Sequence, residues 1–346
     1  MRILYGVTGC GLGHTMRARA IAEHLIARGH TVRIAASGRA VGILARHGLD
    51  VVAIDGMAMR FADGEARRAR SAFALLRQAP RAVRRNTSVA WNHVLDFDPD
   101  VLVTDFDSFT PIVGAVLRRP VISIDHQHVL DRFRHPDAVT AKVSAYSLAR
   151  ALVTAKTPRC DHYIVTSFFF PEPRWSGTSL VGPIVRREIE LARPTLGDHV
   201  LVYQTTTGDR RLLPALRAIK HVPFVVYGLG RDETIDNIQL RSFDEPRFVS
   251  DLASARAVVA NGGYTTLSEA MVLGKPVLSI PVRGQPEQEL NAAWLDFLGL
   301  GMHASQFDER TLRSFLDRRS SYRTADVRSG TRDATTALDR ALAEAA

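Results

Sequence analysis

Short, nearly uninterrupted apolar runs alternate along this chain with longer stretches whose apolar positions follow a helical spacing. Residues 3–7, 31–36, 101–104, 121–124 and 163–166 are the runs of the first half. Each is flanked by polar or turn-forming residues and is short, so each predicts a strand covered on both faces. Residues 15–28 place Ile21, Leu25 and Ile26 on one helical face and stop at Gly29, which suits the turn that closes a helix. The strand 163–166 reads as the last of this half.

Residues 170–183 break the pattern with Phe170-Pro171-Glu172-Pro173, Ser176-Gly177 and Gly182-Pro183, a turn-rich stretch that reads as an interdomain crossing. A second alternating series follows. Strands are expected over 200–204, 223–227, 257–260 and 276–280, with helices around 212–219, 264–273 and 289–297. Strands alternating with helix-length segments imply a parallel sheet with helices on both faces. The fold class is therefore α/β, with two tandem Rossmann-like, doubly wound domains. The expected boundaries are 1–182, 183–320 and a charged helical tail, 321–346.

Composition sharpens this picture by exclusion. The chain has 346 residues, enough for two domains of ordinary size, with 46% hydrophobic and 23% charged residues. No apolar run reaches the length that spans a bilayer. The opening residues lack the apolar segment of a secretory signal. Only Cys10 and Cys160 occur, which excludes a disulfide framework and a zinc spacing and suits a reducing, cytoplasmic setting. The formal net charge is +9. That suits an anionic partner, though a basic surface also serves solubility. The charge is most uneven in 57–93, where Arg60, Arg67, Arg68, Arg70, Arg77, Arg81, Arg84 and Arg85 face only Asp63 and Glu65 and are interleaved with Phe61, Phe73, Leu75, Leu76, Val83 and Trp91.

The first candidate chemistry follows the first strand. Gly9-Cys10-Gly11-Leu12-Gly13-His14 opens a helix, and its glycines let backbone approach a ligand at a helix N-terminus. It lacks the Lys of a phosphate P-loop, and the second strand ends in Ala35-Ala36-Ser37-Gly38-Arg39 without the carboxylate that a dinucleotide site uses, which disfavours a dehydrogenase and leaves only an NADP version through Arg39. His14, at the mouth of this loop, can take a proton near neutral pH. Asp105 ends the strand 101–104, at the edge where open α/β sheets bind ligands, and can orient His14. Asp105-Phe106-Asp107 also has the look of a divalent-metal triplet, but such triplets recur by chance. Asp125, His126 and His128 follow the next strand and are expected to line a polar cleft on the acceptor side; no ligand spacing makes them a metal site.

In the second half, Asn261-Gly262-Gly263-Tyr264-Thr265-Thr266-Leu267-Ser268-Glu269 follows the strand 257–260. The Gly-Gly turn opens a helix whose first amides, with Thr265 and Thr266, form a cradle for a pyrophosphate. Glu269, one turn on, can accept from ribose hydroxyls. Glu287 and Gln288, after the strand 276–280, suit sugar hydroxyls.

As a set, these features resemble the nucleotide-sugar glycosyltransferases of the GT-B fold, in the UDP-glycosyltransferase-like group that includes the N-acetylglucosamine transfer step of lipid II synthesis. The resemblance spans most of the chain. The family's donor motif, a His-Cys-Gly-Trp-Asn-Ser pattern with a later Glu, matches Asn261 through Glu269, with Asn261 standing where the family has His. The aromatic residue that stacks on the base matches Phe243. The Asp/Glu-Gln-x-x-Asn element matches Glu287, Gln288 and Asn291. The catalytic His and strand-end Asp match His14 and Asp105. Gly208, after Thr205-Thr206-Thr207, falls in the loop that approaches the donor phosphates.

The resemblance implies two domains facing across a cleft and an inverting sugar transfer from a nucleotide diphosphate sugar, UDP-linked, to an acceptor hydroxyl, with His14 as base and no metal or other cofactor. Donor contacts would come from Gly11, Gly13, Thr206, Gly208, Phe243, Gly262, Gly263, Thr265, Thr266, Glu269, Glu287 and Gln288. Residues 57–93 are expected to touch an anionic membrane on its inner face, making the acceptor lipid-linked; a solvated basic helix pair beside a soluble anionic acceptor fits as well. A nucleotide-sugar epimerase of the same fold and a non-catalytic polyanion binder are the competing readings. No nucleic-acid motif is visible and aromatic residues are only 7%, so no nucleic acid is expected.

Overall fold

The computed structural model describes residues 1–9, 12–56, 83–157, 159–204 and 211–346. They divide into two compact units. The first comprises Met1–Arg134, Ser147–Ile184 and Gly330–Ala346, and the second His135–Tyr146 and Val185–Ser329. The chain thus changes unit after Arg134, Tyr146, Ile184 and Ser329. Relative to the linear division at 182 and 320, residues 135–146 sit with the second unit and 330–346 with the first.

The first unit is built on a parallel sheet. Its strands are β1 (Arg2–Val7), β2 (Thr31–Ala36), β3 (Val51–Ala53), β4 (Val101–Asp105), β5 (Val121–Asp125), β7 (His162–Thr166) and β9 (Thr178–Val181), in the order β3-β2-β1-β4-β5-β7-β9. A small antiparallel pair, β6 (Phe133–Arg134) and β8 (Glu172–Pro173), stands apart. β1 is nearly all buried, which explains its unbroken apolar run: both faces are covered. The expectation that β7 closes this sheet is corrected. β9 adds beyond it in parallel register, Tyr163 opposite Thr178. Its sequence, Thr-Ser-Leu-Val, carries the weak, half-exposed pattern of an edge strand.

Helix Leu12–Ala27 begins earlier than its apolar spacing predicts and draws Gly13 and His14 into its first turn. Ile21 and Leu25 are buried as expected, while Ile26 is 47% exposed. Helix Thr331–Ala345 carries Ala334, Leu338, Ala341 and Leu342 at helical spacing into the cluster formed by Ile3, Ile21, Val103 and Ile164. This helix, and not the whole expected tail, is therefore part of the first unit's core.

The second unit repeats the plan. Its strands are β10 (Val200–Tyr203), β11 (Phe224–Tyr227), β12 (Glu233–Ile235), β13 (Ile238–Arg241), β14 (Ala257–Ala260), β15 (Val277–Ser279) and β16 (Gly301–His303), ordered β12-β13-β11-β10-β14-β15-β16. Only β12 runs antiparallel, joined to β13 through Asp236 at φ 52. In each sheet the order reverses beside the first strand, between β1 and β4 and between β10 and β14. Loops leaving the carboxyl ends of such a pair diverge and leave a crevice where open α/β sheets bind ligands. No described helix is long and apolar enough to cross a membrane.

Candidate active site

At the first reversal, His14 and Asp105 meet. His14 lies in the first turn of the helix after β1, and Asp105 is the last residue of β4, paired with Val7. His14 Nδ1 is 2.8 Å from Asp105 Oδ1, with Asp105 fully buried. Gln127 Nε2 lies 3.0 Å from His14 Nε2. A proton on Nδ1 donated to Asp105 leaves the Nε2 lone pair to accept from Gln127, and this is the tautomer a base needs.

Arg17, one turn after His14, completes the group. Its Nε donates to Asp105 Oδ2 at 2.8 Å and its Nη2 to Oδ1 at 2.6 Å. Burial opposes the guanidinium charge, but the Asp105 charge and hydrogen bonds outweigh it and hold Arg17 above its ordinary pKa. Phe106, at φ 55, turns the chain so that Asp105 and Asp107 part ways. Asp107 accepts from Thr104 Oγ1 at 2.7 Å and from the Thr110 amide at 2.8 Å. The Asp-Phe-Asp triplet is thus split between a His-Arg cluster and a turn. Among the described residues, no group of three or more His, Cys, Asp or Glu is arranged to hold a metal ion.

Asp125, His126 and His128 come to the same edge but are buried rather than lining a cleft. His128 Nδ1 bonds Asp125 Oδ2 at 2.7 Å, Ser123 Oγ donates to the same oxygen at 2.6 Å, and His126 Nδ1 bonds the Thr166 carbonyl at 2.7 Å. Burial disfavours both charges of the Asp125–His128 pair. Their mutual attraction and hydrogen bonds prevail, lowering Asp125 and raising His128. The physical reason for the difference is local: Asp125 also takes the His128 amide at 2.9 Å, so a tight turn folds the imidazole back under the strand end.

At the second reversal, Asn261 donates to Gln204 Oε1 at 2.8 Å and to the Ile280 carbonyl at 3.1 Å. It ties together the ends of β10, β14 and β15. Gly262 packs so closely on the Gln288 backbone that a Cβ would collide with it, whereas a Cβ on Gly263 would meet open space. Helix Tyr264–Val272 then starts without a side-chain cap, its first turn carrying the half-buried Thr265 and Thr266. Phe243 is 41% exposed and leans on Phe248, with ring centroids 5.5 Å apart.

Glu269 is fully buried and held in a fork by Arg186, Nε to Oε1 at 2.7 Å and Nη2 to Oε2 at 3.0 Å; Arg186 Nη1 also reaches Glu245 at 3.0 Å. Burial raises the Glu269 pKa, against the pull of Arg186. Glu287 and Gln288 are half-buried in the first turn of helix Pro286–Phe297, where Gln288 Oε1 accepts from the Val282 amide at 3.0 Å. Asn291 donates to the Gly262 carbonyl at 3.0 Å. Gly11, Thr206 and Gly208 lie outside the described residues, and Gly13 is half-buried beside His14.

Sequence reading missed Arg17, Gln127 and Arg186. Arg17 had a usable signal, its three-residue spacing from His14 on one helix face. Arg186 had a fainter one, the first charge after the apolar run Pro183-Ile184-Val185. Gln127 had none.

Residues 1–319 match glycosyl transferase family 1. The chain belongs to this family. An uncharacterized glycosyltransferase of Methanosarcina mazei is 25% identical over 332 residues, covering 87% of this chain and 85% of that one. The UDP-N-acetylglucosamine--N-acetylmuramyl-(pentapeptide) pyrophosphoryl-undecaprenol N-acetylglucosamine transferase of Nitrobacter winogradskyi is 26% identical over 317 residues, covering 83% and 79%. The crystal structure of the glycosyltransferase of kitacinnamycin superposes with a TM-score of 0.70 at 16% identity, covering 98% of each chain. The protein is a glycosyltransferase of the GT-B fold.

Proposed function

We propose that this glycosyltransferase moves a sugar from a nucleotide diphosphate sugar, UDP-linked, to an acceptor hydroxyl with inversion. The observation that carries this reading is the His14–Asp105 contact of 2.8 Å at the strand-order reversal. His14 Nε2 takes the hydroxyl proton as oxygen attacks the anomeric carbon, the acceptor replacing the Gln127 amide at that lone pair. Asp105 holds the imidazole and stabilises the imidazolium that forms. The leaving diphosphate gains negative charge, which suits the N-terminus of helix Tyr264–Val272 beside Gly262 and Gly263, with Thr265 and Thr266 as further donors. Phe243 offers a face to the base, and Glu287 and Gln288 offer polar groups to the sugar. Glu269, although fully buried against Arg186, is read as the acceptor of the ribose hydroxyls on the lone pairs that Arg186 leaves. The Nitrobacter relative, whose name specifies a UDP-sugar donor and an undecaprenol-linked acceptor, supports a UDP donor and a lipid-linked acceptor here.

A membrane-proximal acceptor is part of this reading. Of the segment 57–93, residues 57–82 lie outside the described residues. In its described part, Val83 and Trp91 are 63% and 70% exposed beside Arg84 and Arg85. Apolar and aromatic side chains displayed among arginines suit an anionic lipid surface.

The test is UDP release from UDP-N-acetylglucosamine and other UDP-sugars in the presence of a bacterial lipid extract. The His14→Ala variant is expected to lose about 10²–10⁴-fold in turnover while binding UDP as the wild type does. Wild-type turnover in that variant would remove His14 from the mechanism.

A further inference from the structure

We propose that Arg17 is a positioning residue that cancels the charge of Asp105 and so keeps His14 in its free-base form at neutral pH. The inference deepens the reading of His14 as the base and rests on it. An aspartate facing an imidazole does two opposing things. It orients the ring, and it also holds a proton on it, because an opposite charge at hydrogen-bond distance favours the charged form by one to three pH units. A ring already protonated cannot accept the proton of an acceptor hydroxyl. A His-Asp pair that solvent screens little therefore serves better as a base when something keeps the orientation and reduces the excess pull.

Arg17 supplies this. Its guanidinium engages both Asp105 oxygens, and its Nη2 stands 3.1 Å from His14 Nδ1. The side chains of Arg17 and Asp105 are 3% and 0% exposed, so solvent does little to screen them. The resting group of Arg17, Asp105 and neutral His14 carries one positive and one negative charge. Proton uptake by Nε2 then puts an imidazolium beside a carboxylate that is already paired. The proton is held weakly enough for the ring to be empty before attack, while the Nδ1–Asp105 hydrogen bond still fixes its direction. The elevated pKa of Arg17 means that this cation is never lost in the working pH range.

The other charged or titratable groups near the cluster do not take over this role. Asp107 is tied to Thr104 and Thr110, and Asp125 is spent on His128 and Ser123. Tyr5, fully buried on β1, feels Asp105, Arg17, Asp125 and Asp107, and burial holds its phenol neutral, well above its ordinary pKa. Gln127, which faces the other ring nitrogen, carries no charge. The only cation in contact with both members of the His14–Asp105 pair, among the described residues, is Arg17.

The experiment combines a pH–rate profile with histidine NMR on the full chain. Of the 12 histidines, His14 is assigned by the resonance that disappears in His14→Gln. In Arg17→Gln, the acid limb of kcat/KM is expected to move up by about one pH unit, so that rate falls about tenfold at pH 6 and recovers toward the wild-type value above pH 8.5. The His14 ring should titrate higher by a similar interval. Arg17→Lys, which keeps the charge, should restore the wild-type limb. The double variant Arg17→Gln/Asp105→Asn removes both charges and leaves no buried lone ion, so its His14 titration should return to within about half a unit of wild type. That variant decides the matter if Arg17→Gln does not fold: a larger displacement of His14 in the double overturns the cancellation. A loss of rate that is equal at every pH, with the His14 titration unmoved in Arg17→Gln, also overturns it. Should His14→Gln retain full activity, the reading of His14 as base fails, while the NMR titration still decides on its own whether Arg17 controls the ring.

Discussion

Arg186 and Glu269 form a two-pronged contact, both nitrogens of the guanidinium edge meeting both oxygens of the carboxylate at 2.7 and 3.0 Å. The acid assigned to the ribose is thus already oriented within its own unit. Each carboxylate oxygen has a second lone pair, and those are what a ribose diol would use. Glu269→Gln, which keeps the shape, is expected to weaken UDP binding by about 1.5–3 kcal/mol in calorimetry. Unchanged affinity would show that Glu269 serves only to hold Arg186.

Gly262 gives a sharper probe of the donor cradle. A Cβ there would strike the Gln288 carbonyl, which is backbone and has little freedom to retreat. Gly262→Ala should push helix Pro286–Phe297 away, costing about 1–3 kcal/mol of stability in a denaturant titration and most of the UDP affinity. Gly263→Ala, whose Cβ meets open space, should cost far less stability.

The buried Asp125–His128 pair makes stability depend on pH in a defined direction. His128 lies above its ordinary value of 6.5 in the folded chain, so its contribution is whole below about pH 6.5 and is lost as pH rises through the folded value. Asp125 lies below its ordinary value of 3.8, so its contribution is whole above that value and is lost as pH falls through the folded one. Thermal stability should therefore hold between about pH 4 and 6.5 and decline on the alkaline side. The Asp125→Asn/His128→Gln double variant should flatten that alkaline decline when melting is followed from pH 6 to 9. A decline of equal slope in the double variant would assign it to other groups.

Vesicle co-sedimentation tests the lipid surface. Binding to anionic but not neutral vesicles is expected, weakening at high salt and in a variant with Arg84 and Arg85 changed to Ser and Trp91 to Ala. Equal, negligible sedimentation with both vesicle types would leave the acceptor without a membrane argument.

How far the sequence revealed this depends on the kind of signal. Strands buried on both faces wrote themselves as apolar runs, so β1, β2, β4, β5, β10, β11, β14 and β15 were legible within a residue or two of their ends. Edge strands were not, since Thr178–Val181 and Gly301–His303 meet solvent on part of their surface and need no apolar run. His14 and Asp105 stood out because each occupies a strand or helix end at a reversal. Asp125, His126 and His128 stood in equally suggestive places, and only three dimensions show the hydrogen bonds that bury them. Arg17 and Arg186 were hidden for a related reason. Their partners lie 88 and 83 positions away, so the spacing of Arg17 from His14 marked a shared helix face but not the carboxylate it meets, and Arg186 was fainter still.

Helix Thr331–Ala345 contributes Leu338 and Leu342 to the same apolar cluster as Ile3 on the first strand. Ribosomes release a chain from its amino end, so the segment that opens the sequence waits for this late helix before its core is whole. The second unit needs nothing later than Ser329. A released chain truncated after Ser329 should hold a finished second unit and a first one that is still open to proteases and chaperones. In the growing polypeptide, the part made first is the part that matures last.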